Sequence, residues 1–229
     1  MNEVFLKQNI ILSEEKQEKF ENFCGLLKEY NSRFNLTSIK DDEGIYEKHF
    51  ADSLKGEEFF PLNASVAEIG SGGGFPSVPL KIAREDLKFT LIEATNKKCA
   101  YLKTVGEKFG FNDFEVINGR AEEEGKKDLY REKFDVVTAR AVASLNVLCE
   151  YCLPLVKKGG SFVAYKGDAE EEIKSAAKAI EILGGKIETV KKFVLSESSG
   201  VRNIVVIKKI KNTPEEYPRS NGVIKKKPL

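Results

Sequence analysis

The segment Val66-Ala67-Glu68-Ile69-Gly70-Ser71-Gly72-Gly73-Gly74-Phe75-Pro76 constrains the fold more than any other stretch of the chain. A short, β-rich apolar run ends in glycines at 70, 72 and 74, which let a backbone turn sharply and approach a ligand closely. Pro76 suits the first turn of a helix that follows. The next apolar run, Phe89–Ile92, leads into Glu93, 23 residues beyond Gly70. That is the spacing expected of a carboxylate that binds a ribose diol. Strand, loop, helix, strand and acid together describe a nucleoside-binding half-sheet. A dinucleotide fingerprint would carry its third glycine at position 75, where Phe75 stands instead and would crowd a pyrophosphate. A ligand with an adenosine but no phosphates satisfies both Glu93 and Phe75, and S-adenosylmethionine is the common candidate.

The rest of the chain extends this pattern. Apolar runs at Phe114–Ile117, Phe134–Thr138, Phe162–Tyr165 and Val201–Ile207 alternate with helical periods at Val78–Ala83, Cys99–Phe109, Leu145–Leu155 and Ile173–Leu183. Continuous apolar strands suit burial on both faces, with helices as right-handed crossovers. The expected fold is α/β: a doubly wound, mostly parallel, seven-stranded Rossmann-like sheet with an N-terminal helical extension. Gly184-Gly185 and Ser196–Gly200 are turn signals, where a hairpin replaces the last crossover. The divisions are 1–60 for the extension packed on the core, 61–210 for the sheet domain and 211–229 for a basic tail.

In the extension, Ser13 before Glu14 and Glu15 marks a helix start, and Phe20, Phe23, Cys24 and Leu27 form one apolar face. A second amphipathic stretch, Ile45–Leu54, carries the one histidine of the sequence, His49. The tail from Lys208 to Leu229 holds seven basic and two acidic residues. Its prolines at 214, 218 and 228 argue against a helix there. It reads either as a solvated terminus or as a phosphate-contacting arm.

Ligands in such sheets lie beyond the carboxyl ends of strands. Two segments end there: Asn118-Gly119-Arg120-Ala121-Glu122, and Ala139-Arg140-Ala141. Ala121 and Glu122 offer partners to an adenine amino group. Arg140 pairs with the methionine carboxylate of the donor or with an RNA phosphate, its planar fork suiting either. Gly70, Gly72, Gly74, Phe75, Glu93, Ala121, Glu122 and Arg140 are therefore the expected cofactor site. Arg140, Arg202, Arg219, Lys225 and Lys226 are the expected RNA contacts. Cys149 and Cys152 read as core, because no second ligand pair completes a zinc site.

Composition bounds what such a site can serve. The 37 basic and 36 acidic side chains give a net charge of +1, so nucleic acid must be held by a local patch rather than by bulk attraction. Four cysteines in 229 residues are no disulfide scaffold. No apolar run reaches the roughly 20 residues that cross a bilayer. Val4–Leu12, broken by Lys7, Gln8 and Asn9, makes a poor signal peptide. A soluble, cytoplasmic monomer without a metal is expected.

The Gly70–Pro76 run resembles one family when taken with Asn35-Leu36-Thr37, His49…Asp52-Ser53, Thr138-Ala139-Arg140-Ala141-Val142-Ala143 and Lys211-Asn212-Thr213-Pro214…Tyr217-Pro218-Arg219. It is the bacterial 16S ribosomal RNA guanine-N7 methyltransferases, also called glucose-inhibited division protein B. The resemblance covers nearly the whole chain. It implies methyl transfer from S-adenosylmethionine to a guanine of small-subunit ribosomal RNA, free or in a ribosomal subunit. It matches Gly70, Phe75, Ala121-Glu122 and Arg140 to cofactor positions and leaves His49, Asp52 and Ser53 without an assigned role. Competing readings are a methyltransferase acting on a protein or small molecule, an RNA-binding module with a vestigial cofactor site, and a nicotinamide oxidoreductase, which Phe75 disfavours. Arg140→Ala is expected to impair transfer while leaving the fold intact.

Overall fold

A computed structural model of the chain describes residues 3–196 and 199–229. The sheet contains strands β1 (Ser65–Ile69), β2 (Lys88–Glu93), β3 (Phe114–Asn118), β4 (Phe134–Arg140), β5 (Val156–Lys166), β6 (Gly185–Val194) and β7 (Val201–Lys209), in the order β3-β2-β1-β4-β5-β7-β6. β7 alone runs opposite to the other six strands. The order reverses between β1 and β4, which pair in parallel from Val66↔Val136 to Ile69↔Ala139. At such a switch point the crossovers leave to opposite faces and open a crevice at the carboxyl edge.

The interior strands are continuous apolar runs because both faces are covered. Helices α5 (Ser77–Ala83) and α6 (Asn96–Lys108) pack on one face with the extension. Helices α8 (Leu145–Cys152) and α9 (Glu170–Ile182) pack on the other. The hairpin expected near the end is β6–β7. Of its turn signal Ser196–Gly200, Glu197 and Ser198 lie outside the described residues.

In the extension, α1 (Glu3–Lys7) precedes α2 (Glu14–Asn31), which starts where expected: the Ser13 hydroxyl accepts from the Lys16 N–H. Its apolar face is buried against the sheet domain, with Phe23 5.3 Å from Phe50 and 5.7 Å from Phe75 by ring centroids. The Ile45–Leu54 stretch is not one regular helix. A turn of α3 (Asp42–Ile45) widens into a π-helical segment, Tyr46–Ala51, before α4 (Asp52–Leu54). The wide turn buries Tyr46, Phe50 and Ala51 and leaves His49 half-buried toward the end of β4. Such wide turns occur most often at functional sites.

The tail departs from expectation. It is ordered, and a helix, α10 (Asn221–Lys226), fits between Pro218 and Pro228. Ile224 is fully buried against the α8 side of the core. Arg131 donates to the carbonyls of Thr213, 2.9 Å, and Tyr217, 2.7 Å. The buried Lys209 ammonium donates to the Leu153 carbonyl and the Thr213 hydroxyl, 2.6 Å. Prolines exclude helix only where they stand; tertiary contacts supply the rest.

Candidate functional site

A cleft of about 230 Å³ opens at the carboxyl ends of β1, β2 and β3, with Gly70, Glu93, Ala121, Glu122, Tyr151 and Asn221 among its walls. Gly70 takes φ +68°, and a Cβ there would meet Val142 at 2.7 Å; Gly74 takes φ +89°, with Val78 at 2.6 Å. Both the backbone turn and the space therefore require glycine. Glu93 holds the loop as well as facing the cleft. Its carboxylate accepts from the Gly72 N–H at 3.0 Å and from the Thr95 N–H at 2.8 Å. A carboxylate has about four acceptor sites, so capacity for a diol is left over. Glu122 is the second residue of the short helix α7 (Ala121–Glu124), and no other described residue hydrogen-bonds its carboxylate at the cleft. Under the loop lies Glu68, wholly buried near Ser71 and Ser77, and burial pushes its carboxyl up to about 8.

Of the expected cofactor residues, Gly72, Gly74, Phe75 and Arg140 are not among the cleft's lining, and the last two point away from it. Phe75 does not face this cleft but turns into the helical extension, stacked on His49 at 4.3 Å between centroids. Its ring fills volume on the extension side of the loop, against Phe23 and Gly73, and does not stand in the ligand's path. Arg140 is not an open anion receptor. Its Nη1 donates to Asp52 Oδ2 at 2.8 Å and to the Lys48 carbonyl at 3.1 Å, its Nη2 to His49 Nδ1 at 2.8 Å, and its carbon lies 4.9 Å over the Phe75 ring. The Arg140–Asp52 pair is almost wholly buried. Removing the arginine would leave the buried Asp52 carboxylate with Arg202, 3.8 Å away, as its one remaining ion-pair partner, a loss that argues against Arg140→Ala leaving the fold intact.

His49, left without a role by the sequence, is defined by these contacts. Because a guanidinium can only donate, His49 Nδ1 accepts from it and Nε2 carries the proton, donated to the Thr37 hydroxyl at 2.7 Å. Burial, and then the Arg140 charge, hold its pKa down at about 3. His49 is a neutral orienting group.

Across Arg140 lies a second cleft, of about 410 Å³, at the ends of β4 and β5, lined by Lys48, Asp52, Lys166, Asp168, Arg202 and Asn203 among others. Lys166 donates to the Ala143 carbonyl at 2.9 Å and pairs with Glu172 at 2.7 Å. Both contacts brace the β4–α8 loop, where Ala141 takes φ +58°. A non-glycine residue held there is strained by its surroundings. Arg202 is partly exposed, with Nε 3.8 Å from Asp52.

Of the expected RNA contacts, Arg202 lines this second cleft, Lys225 the first, and Lys226 is exposed. Arg219 is turned inward. Its Nε and Nη2 donate to the two oxygens of the buried Glu150 at 2.8 and 2.6 Å. It anchors the tail through Glu150, while its side chain stays partly exposed. Tyr151, Asn221, Arg120 and Glu68 were not singled out by sequence; Tyr151 lay within the Cys149–Cys152 run read as core. Cys149 and Cys152 are fully buried thiols. Among the described residues no group of three or more His, Cys, Asp or Glu could hold a metal ion.

The family model of rRNA small subunit methyltransferase G, GidB, matches residues 16–205. The chain belongs to this family. It is 47% identical to the ribosomal RNA small subunit methyltransferase G of Brevibacillus brevis, covering 99% of this chain and 97% of that protein. It is 49% identical to the protein of that name from Clostridium novyi, covering 95% and 90%. Among solved structures, the ribosomal protein L11 methylase of Lactobacillus delbrueckii superposes with a TM-score of 0.54 at 14% identity, over 72% of this chain and 79% of that one. The 16S rRNA N2 G1207 methyltransferase of Thermus thermophilus, solved with AdoMet and guanosine, gives 0.50 at 14%, over 71% and 39%. These likenesses establish the Rossmann-like methyltransferase fold. By family and by fold, the chain is an S-adenosylmethionine-dependent rRNA methyltransferase.

Proposed function

We propose that the chain transfers the methyl group of S-adenosylmethionine to N7 of a guanine in small-subunit ribosomal RNA. The donor's adenosine occupies the cleft walled by Gly70, Glu93, Ala121 and Glu122, and the guanine enters the cleft beyond Arg140. The observation that carries this reading is the adjacency of the two clefts across the Arg140 cluster, at the sheet's switch point. The residues suit the donor: Glu93 retains acceptors for the ribose, Glu122 meets an adenine amino group, and the glycine loop admits backbone-close approach.

Guanine N7 carries an in-plane lone pair and no proton. Its attack on the sulfonium methyl forms the N–C bond as the C–S bond breaks, and the pair remains on sulfur. The base becomes cationic, and no proton need be removed. Consistent with this, His49, half-buried and neutral between Arg140 and Thr37, is an orienting group. What the protein supplies is alignment, which can lower a barrier on the order of 7–11 kcal/mol. The base must come from a loop or be unstacked, since the A-form major groove is too narrow for side chains. Lys48 and Arg202, partly exposed at the second cleft, and the exposed Lys226 are cations placed to meet phosphates. The protein works on this substrate in the cytoplasm as a monomer, with 1–60 as a helical extension, 61–210 as the methyltransferase domain and 211–229 as its tail.

Tritiated methyl transfer to small subunits from cells lacking the modification, followed by mapping of the labelled base, tests the reading. Label is expected at one guanine, at N7; label in protein, or at an exocyclic amine, overturns it.

A further inference from the structure

We infer that the C-terminal helix α10 is the outer wall of the cofactor cleft, where Asn221 and Lys225 contact the adenosine half of the methyl donor. The inference rests on the placement of the donor proposed above and extends the binding site to a segment that sequence reasoning assigned to RNA. Both residues line the cleft opposite Gly70 and Glu93, beside Tyr151 and Glu122. Their positions are built rather than incidental. The Tyr151 hydroxyl donates to Asn221 Oδ1 at 2.7 Å, fixing the amide so that its Nδ2 donors remain available. Two residues before α10 begins, Arg219 donates through its backbone N–H and its guanidinium to Glu150, the neighbour of Tyr151 on α8. Ile224, between the two cleft residues, is fully buried and fixes the rotation of the helix. One short segment of α8, Glu150-Tyr151, thus anchors the tail and reads out the position of Asn221.

The chemistry is complementary. Adenine presents an amino donor and ring-nitrogen acceptors. The sheet side of the cleft offers carboxylates, Glu93 and Glu122, which can only accept when ionised. Donors for the ring nitrogens come from backbone N–H groups, from Arg120, or from the opposite wall, where Asn221 and Lys225 supply them. Lys225 also adds a cation to a cleft that carries two carboxylates.

Calorimetric titration of the full chain with S-adenosylmethionine, and with 5′-methylthioadenosine as the adenosine half alone, tests this on Asn221→Ala, Lys225→Ala and Tyr151→Phe, with Glu93→Ala in parallel. Each tail variant is expected to weaken both ligands by the same factor, roughly three- to tenfold, as for loss of one hydrogen bond. The KM for the donor rises with it, while kcat and the KM for small subunits stay unchanged. Thermal melts establish that the point variants fold. If Glu93→Ala weakens the donor and the tail variants do not, α10 is no part of the site and the inference falls, while the cleft stands. If only the KM for small subunits rises, the tail is an RNA arm and the inference falls as well. If Glu93→Ala also leaves the donor's affinity unchanged, the placement of the donor falls and takes the inference with it.

Discussion

At the scale of single residues, Arg140 shows what position in a sequence conveys and what it does not. Its place at the end of a buried strand predicted a residue at the ligand edge, and β4 carries it there. Spacing could not show that its donors meet groups 88 to 92 residues earlier in the chain: Asp52, His49 and the Lys48 carbonyl. Free guanidinium and tied guanidinium look alike in one dimension. The same holds for Arg219, whose basic neighbourhood suggested RNA and whose partner is a buried glutamate on α8. Breaking a buried ion pair by removing one partner costs about 3–5 kcal/mol. Arg140→Ala is therefore expected to lower the melting temperature by several degrees and methyl transfer more than tenfold. Asp52→Asn in the same chain should recover much of the stability and little of the activity. Calorimetry and single-turnover assays check both halves.

Elements were legible where burial is uniform. The inner strands, covered on both faces, are unbroken apolar runs, and α2 shows its face because one side alone meets the core. β6 was not legible as a run, because it lies at the sheet edge with Glu188, Thr189 and Lys192 exposed along it. α10 was hidden because its stability lies in tertiary contacts rather than propensity. The π-helical turn Tyr46–Ala51 was hidden for a different reason: amphipathic spacing at ten residues cannot separate a regular helix from one with a widened turn. That turn has a consequence for acid stability. His49 is held neutral on it with a pKa of about 3, against the ordinary value near 6.5. The unfolded chain then binds the extra proton, so the stability present above about pH 6.5 is lost progressively as pH falls toward about 3. The slope is at most about 1.4 kcal/mol per pH unit from this group. Thermal melts between pH 7 and pH 5 should fall more steeply for the natural chain than for His49→Gln, which keeps a donor and an acceptor but does not titrate. Parallel slopes would remove His49 as the origin.

On the scale of the whole molecule, the contacts join the extension to the sheet domain through one core. Phe20, Phe23 and Phe50 from the first sixty residues share a single apolar cluster with Phe75, Val78, Tyr101 and Leu102. The Arg140 cluster adds a polar seam at the cleft, and the Lys16 ammonium donates to the Ala83 carbonyl at the end of α5. A domain boundary drawn near residue 60 separates a change in sequence pattern, from helical periods to alternating strands, and not two hydrophobic interiors. Each large aromatic side chain lost from such an interface removes about 3–5 kcal/mol, which approaches the whole net stability of an ordinary domain, about 5–15 kcal/mol. A chain beginning at residue 61 would expose the faces of α5 and α6 and leave Phe75 without its neighbours. It is expected to lack a cooperative melting transition, to bind a hydrophobic dye at neutral pH and to lose affinity for the methyl donor, although Gly70, Glu93 and Glu122 are all retained. The full chain should melt in one transition by calorimetry, with equal calorimetric and van't Hoff enthalpies. Two resolved transitions, or a chain from residue 61 that binds the donor with undiminished affinity, would show that the sheet domain builds its site alone and that the helical extension serves the RNA instead.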